Sequence, residues 1–226
     1  MKRVVVPELL DTDAGTPREV EGSIADLRMF NRAFGGIRAM SRLLQRVAEQ
    51  RGLKELSWVD VAGSEGYVAL LTSQQLARSG TTVHPVVLDR APTHMNGQVP
   101  GVCGDALALP FADNSFDAVG CSLFAHHLEP EELVRFAGEG LRVARRAFLI
   151  HDLVRHPAHL ALSYLGFPLY RSRITRHDAP ASVRRAYTED EIRGILARAV
   201  PNASIEIHRF YLFRMGVIVW KQPLTT

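Results

Sequence analysis

The stretch "WVDVAGSEGYVA", Trp58 to Ala69, decides how the chain is read. An apolar run ends in an acid, Asp60, a loop of small residues follows, and a helical pattern opens at Tyr67. A strand that ends in such a loop and runs into a helix N-terminus is the unit from which nucleotide sites are built, because the unpaired amides of the first helical turn face the ligand. The glycines are unusual. Only Gly63 and Gly66 are present, a dinucleotide G-x-G-x-x-G is not, and no Lys-Ser/Thr pair completes a phosphate loop. Glu65 would repel a phosphate.

Outward from this stretch, strand and helix alternate. "TVHPVVLD", "VPGVCGD", "FDAVGCSLF" and "RAFLIHD" read as further buried strands, and "ASIEIHRF" and "LFRMGVIVW" as a closing hairpin. Helical patterns fall on "GYVALLTSQQLARSG", "EPEELVRFAGEGLRVA" and "TEDEIRGILARA". The expected fold is α/β, a Rossmann-like, doubly wound, mostly parallel seven-stranded sheet, with an N-terminal helical lid and a helical insertion after the fifth strand. The expected organisation is a flexible segment over 1–22 and one domain over 23–226. Within it lie a helical lid (23–52), a core (53–152 and 186–222), and an insertion with a basic loop (153–185).

Composition fits a globular chain: 46% hydrophobic and 23% charged residues, with a net charge of +3 that does not by itself indicate nucleic acid. The apolar run at the N-terminus is too short for a signal-peptide core, and "HLALSYLGFPLY" is too short for a membrane span. Cys103 and Cys121 both read as buried free thiols. Cytoplasmic location, no membrane, no nucleic acid, and a monomer or homodimer are the corresponding expectations.

Ligands of an open parallel sheet bind beyond the carboxyl ends of its strands. Those ends hold Asp60 to Gly66, Asp89-Arg90, Gly104 to Leu107, Ser122 to His127, and His151-Asp152. An acid ending the second strand, here Asp89, commonly accepts from ribose hydroxyls. A cofactor with a ribose but no phosphate fits this set, and S-adenosylmethionine is one.

The stretches "VDVAGSEGYV", "VVLDR", "GDALALPFADNSFDAVGCSLFAHHLEPEE" and "YTEDEIRGILARA" together resemble the class I S-adenosylmethionine-dependent methyltransferases. Within these the chain is most similar to the small ubiquinone/menaquinone-methyltransferase-like (type 11/25) enzymes, over about Ser23 to Trp220. The resemblance implies that Asp60 orients the methionine amine, that Gly63 and Gly66 admit the backbone close to the cofactor, and that Asp89 accepts from both ribose hydroxyls. It also implies that Asp105 and the Ala106 N–H read the adenine. Ala62, Arg90 and Ser122 complete the candidate cofactor set. Two of the three glycines of the family loop are replaced here, by Ala62 and Ser64, so Gly63 is expected to supply the conformational freedom with the loop locally shifted. The helix after Asp89 is expected to be abbreviated or absent.

On the acceptor side, His127, His151 and His177 are the candidate bases, with His126 weighed beside His127. The basic stretch "RSRITRHDAPASVRR" resembles a loop of enzymes acting on polyketide-type aromatic products, which suggests secondary metabolism. No metal is expected, because the histidines lack a ligand spacing. The expected activity is methyl transfer to a small aromatic or polyketide-like hydroxyl. The alternatives are C-methylation of a quinone-type precursor, or a methyltransferase-like chain with a degenerate cofactor loop that acts as a binding partner.

Overall fold

Seven strands form one sheet in the order β3-β2-β1-β4-β5-β7-β6. In this computed structural model residues 1–12, 14–91, 95 and 97–222 are described. The strands are β1 (Glu55–Val61), β2 (Thr82–Asp89), β3 (Gly101–Cys103), β4 (Phe116–Ser122), β5 (Ala144–Leu153), β6 (Ser204–Phe210) and β7 (Arg214–Trp220). The helices are α1 (Pro17–Ala33), α2 (Gly36–Arg51), α3 (Tyr67–Arg78), α4 (Pro130–Val143), α5 (Pro157–Leu165), α6 (Arg173–Arg185) and α7 (Glu189–Ala199). β1 to β5 pair in parallel, and only β7 runs against its neighbours. The strand order reverses direction between β1 and β4, so the cleft of a doubly wound sheet opens there.

Both faces of the sheet are covered, and each strand alternates between them. Met215, Val217 and Val219 of β7 pack with Phe136, Phe148, Ile192 and Leu196 beneath α4 and α7. Ile218 and Trp220 pack with Leu43, Leu44, Val47, Trp58 and Leu149 beneath α2 and α3.

Four expectations are corrected. The described residues of the 1–22 segment are not loose. Val4 N–H donates to the Arg184 carbonyl, Leu9 and Leu10 N–H donate to the Asp178 carboxylate, and α1 starts at Pro17 behind a Thr16–Glu19 capping box. The lid is α1 alone. Its apolar stripe, Ile24, Leu27, Phe30 and Phe34, lines a cavity, whereas α2 is a core helix buried against the sheet. The basic loop is α6, with Ser172 as N-cap; Arg173 and Arg176 lie on its outer face and Arg185 lines the cavity, while Ile174, Thr175, Asp178, Ala181 and Val183 face inward. Cys121 is buried as expected, but Cys103, on edge strand β3, is exposed. No described helix is long and apolar enough to cross a membrane. Between β2 and β3 the described residues contain no helix, and positions 92–94 and 96 lie outside the described residues.

Candidate functional site

One cavity of about 730 Å³ runs along the carboxyl ends of the strands beneath α1. Its volume lies within the range of ~300–1,000 Å³ typical of small-molecule sites. Of the candidate cofactor residues, Asp60, Ala62, Gly63, Asp89, Arg90, Asp105, Ala106 and Ser122 line it; Gly66 does not.

The β1–α3 loop keeps a glycine-like backbone without the glycines. Ala62 and Ser64 both lie in the left-handed region, at φ 57° and 49°. They are pinned there: Ala62 N–H donates to the Leu88 carbonyl at 2.7 Å, and Ser64 N–H donates to Asp89 Oδ2 at 2.8 Å. Gly63 therefore does not take over the positive φ, and the expected shift of the loop is corrected. What Gly63 provides is space, because a Cβ there would come 3.0 Å from the Asp60 carbonyl oxygen and Oδ2. Gly66 has φ 76° and sits tight against Val87 and Val99 at the start of α3. A left-handed non-glycine residue costs roughly 1–2 kcal/mol, partly offset by the entropy glycine adds to the unfolded chain. Ala62→Gly and Ser64→Gly are each expected to raise stability by about 0.5–1 kcal/mol in chemical denaturation. Unchanged midpoints would show that the loop relaxes to negative φ.

Glu65 does not face a phosphate; its carboxylate pairs with the Arg28 guanidinium of α1 in a two-pronged ion pair that ties the lid to the loop. Asp60, 1% exposed, has both carboxylate oxygens without a hydrogen-bond partner. Burial, with the neighbouring Asp89 charge, raises its pKa to about 8. Asp89 also accepts from Ala91 N–H at 2.9 Å, so each of its oxygens holds one loop amide and keeps a lone pair toward the cavity. Asp105 uses one oxygen to cap the following turn at Leu107 N–H.

The far end of the cavity holds Glu8, Asp11, His126 and His127. The Asp152 Oδ1 atom lies 2.6 Å from His126 Nδ1, and His126 Nε2 points at Glu8, 3.5 Å away. Burial opposes a charge on His126, but the Asp152 and Glu8 carboxylates outweigh it and lift the imidazole to about 10. His127 Nδ1 lies 3.1 Å from Asp11, and its Nε2 lies 3.8 Å from Glu8. Arg3, Arg185 and Tyr187 fix the backbone carbonyls of His126, His127 and Leu128. The ligand atoms of Glu8, His126 and His127 lie within 4.8 Å of one another, a set a divalent cation would accept. Spacing in the sequence does not show this set, because Glu8 comes from the far end of the chain.

Two candidate bases stand elsewhere. His151 and Asp152 are successive on β5, so they face opposite sides of the sheet. Asp152 reaches His126. His151 is buried outside the cavity lining, its Nδ1 2.8 Å from Ser122 Oγ, and burial together with Arg214 lowers its pKa to about 3. His177 lies on the exposed face of α6, bonded to Asp178 at 2.7 Å, and also does not line the cavity.

This arrangement, a ribose-type acid and an orphaned buried acid beneath a tight loop, falls inside a recognised sequence family: residues 59–147 match the family described as methyltransferase domain. The chain carries a class I S-adenosylmethionine-dependent methyltransferase domain. Solved structures share the fold. A SAM-dependent methyltransferase from Aquifex aeolicus is 19% identical with a TM-score of 0.55, the match covering 78% of this chain and 88% of that one. The plantazolicin methyltransferase BpumL, solved with a pentazolic desmethylPZN analog and SAH, is 13% identical with a TM-score of 0.69, over 96% and 95% of the two chains. An O-methyltransferase family 2 protein from Planctomyces limnophilus, solved with apigenin, is 18% identical with a TM-score of 0.63, over 92% of this chain and 63% of that one. No curated protein sequence matches the chain. The methyltransferase domain's own residues fit its cofactor. Asp60 has two unpartnered oxygens suited to an ammonium, and Asp89 has free lone pairs suited to ribose hydroxyls.

Proposed function

We propose that this enzyme transfers the methyl group of S-adenosylmethionine to a hydroxyl oxygen of a small aromatic or polyketide-like acceptor. The observation that carries the reading is the single cavity that joins the Asp60–Asp89–Asp105 end to the carboxylate–imidazole cluster. Bound S-adenosylmethionine supplies a methyl group already activated on a sulfonium, so no protein nucleophile is required. Asp60 holds the methionine ammonium, Asp89 the ribose, Asp105 and the Ala106 amide the adenine. Ile24, Leu27, Phe30 and Phe34 exclude water above the reacting atoms. Ionised Asp11 holds a proton on His127 Nδ1, which leaves Nε2 to take the acceptor hydroxyl's proton. His126, held charged by Asp152 and Glu8, stabilises the developing oxyanion. An O-methyltransferase family neighbour crystallised with apigenin, on the same fold, supports an aromatic hydroxyl acceptor.

Incubation with S-adenosylmethionine and a panel of phenols tests the reading, by S-adenosylhomocysteine release and by acceptor products heavier by one methyl group. Methylation on carbon would replace the O-transfer reading, and no cofactor binding would remove the enzyme reading.

Asp60 predicts a pH effect. A carboxyl raised to about 8 is protonated at neutral pH, and a bound ammonium pulls its pKa down. Binding of S-adenosylhomocysteine at pH 7 should therefore release about one proton, and affinity should rise roughly tenfold per pH unit up to about pH 8. Calorimetry in buffers of different ionisation enthalpy reads the proton directly. Asp60→Asn should abolish the release, and a proton-neutral native titration would contradict the assignment.

A further inference from the structure

Arg214 opens β7, paired with Leu153 of β5, and its side chain lines the cavity between Leu153, His159, Leu162 and Leu212. It is 5% exposed, yet its guanidinium has no ion pair and no hydrogen bond among the described residues, and Nη1 is fully buried without a partner. The contrast is with Arg155, equally buried, which spends its guanidinium on two backbone carbonyls and Glu191. Among the described residues the one acid acting on Arg214 is Asp152, and it makes no hydrogen bond or ion pair with the guanidinium because it is turned to other donors. Its Oδ1 lies against His126 Nδ1 and accepts from Leu153 N–H, while its Oδ2 accepts from His126 N–H. Burial, only partly opposed by Asp152, lowers the guanidinium pKa to about 10, so it stays charged at neutral pH. A buried charge without a partner is costly, and a fold keeps one where a ligand supplies the counter-charge.

We propose that Arg214 is the anchor for a carboxylate on the methyl acceptor, so that the acceptor is an aromatic hydroxy acid rather than a neutral phenol. The proposal rests on the methyl-transfer reading above. A planar guanidinium pairs a carboxylate through two parallel hydrogen bonds, which would fix the ring and present its hydroxyl in one orientation. The cofactor carries a carboxylate as well, but sheet order sets the two apart. β7 lies three strands from β1 and four from β2, or roughly 14 and 19 Å at ~4.8 Å per strand. The cofactor's methionyl chain starts from a ribose over β2 and an ammonium at Asp60, and its carboxylate is one bond from the carbon bearing that ammonium. The cavity that holds both Arg214 and the His126–His127 cluster is also lined by Leu123, Phe124, Leu153, Leu162 and Val183, apolar side chains on which an aromatic ring can pack.

The test is calorimetry on the full chain saturated with S-adenosylhomocysteine, using para- and meta-hydroxybenzoate and hydroxycinnamate, each against its carboxamide. At least one acid is expected to bind about 30-fold more tightly than its amide, and Arg214→Gln to erase that preference while leaving S-adenosylhomocysteine affinity unchanged. No acid gaining over its amide overturns the proposal. A loss of S-adenosylhomocysteine affinity in Arg214→Gln, with methylthioadenosine affinity retained, also overturns it, by giving the carboxylate to the cofactor. Arg214→Met provides a readout independent of any probe. The unliganded variant should melt at or above the native temperature, because no internal partner is lost, and strong destabilisation would reveal such a partner and sink the idea. Failure of S-adenosylhomocysteine to bind the native chain counts instead against the methyl-transfer reading.

Discussion

Asp89→Ala is expected to weaken S-adenosylhomocysteine binding by at least about 100-fold. Two hydrogen bonds from ribose hydroxyls to a charged carboxylate are worth about 1.5–3 kcal/mol each, which sets the scale. The same carboxylate accepts from Ser64 and Ala91 N–H, so its removal also frees a loop held at unfavourable φ. Asp89→Asn separates the two effects, because an amide oxygen keeps an acceptor for one amide while the charge is lost; a decrease of about tenfold is expected. Either variant should also lower the pKa of Asp60, since the Asp89 charge is its second cause after burial. The pH at which affinity levels off should then move down from about 8. Near-native affinity of Asp89→Ala in calorimetry would sink the cofactor assignment at β2.

The parallel sheet was readable because each strand carries its own pattern: an apolar run, a polar or small residue at its end, and a helix that follows. Asp60, Asp89 and Asp105 were readable for the same reason, being strand ends of that pattern. Three features were not, and each for a physical cause. In α6, the arginines and Pro180 dominate the composition, while the buried face at Ile174, Thr175, Asp178, Ala181 and Val183 contains only two strongly apolar residues, so the helical period is faint. His151 and His127 look equivalent as strand-end histidines. The alternation along β5 sends His151 to the face away from His126, and the turn after β4 brings His127 to the cavity. Glu8 and Arg214 act through pairings between distant parts of the chain. Nothing local to either marks it, and only packing shows one acid facing two imidazoles and one guanidinium facing none.

The second large effect belongs to the cluster at the acceptor end. His127→Ala is expected to lower turnover by about 10²–10⁴-fold, the usual range for losing a positioned base, with S-adenosylhomocysteine affinity changed by less than roughly threefold. An unchanged rate with an identified acceptor would remove His127 from the mechanism, and turnover surviving chelator treatment is expected if the cluster moves a proton without a bound cation. His126 behaves differently because its charge is structural. Its pKa is raised from 6.5 to about 10 in the fold, so the stability it contributes is complete below about pH 6.5 and is lost as pH rises through about 10. His126→Gln should therefore be much less stable than the native chain at pH 6, with the gap closing toward pH 10. A gap independent of pH would mean that His126 is neutral beside Asp152. The oxyanion at the acceptor would then have to be met by another group, and Glu8, without the His126 charge that holds its pKa down against burial, would shift toward its protonated form. The pH profile of His126→Gln thus decides which member of the cluster holds a fixed charge and which is free to accept a proton.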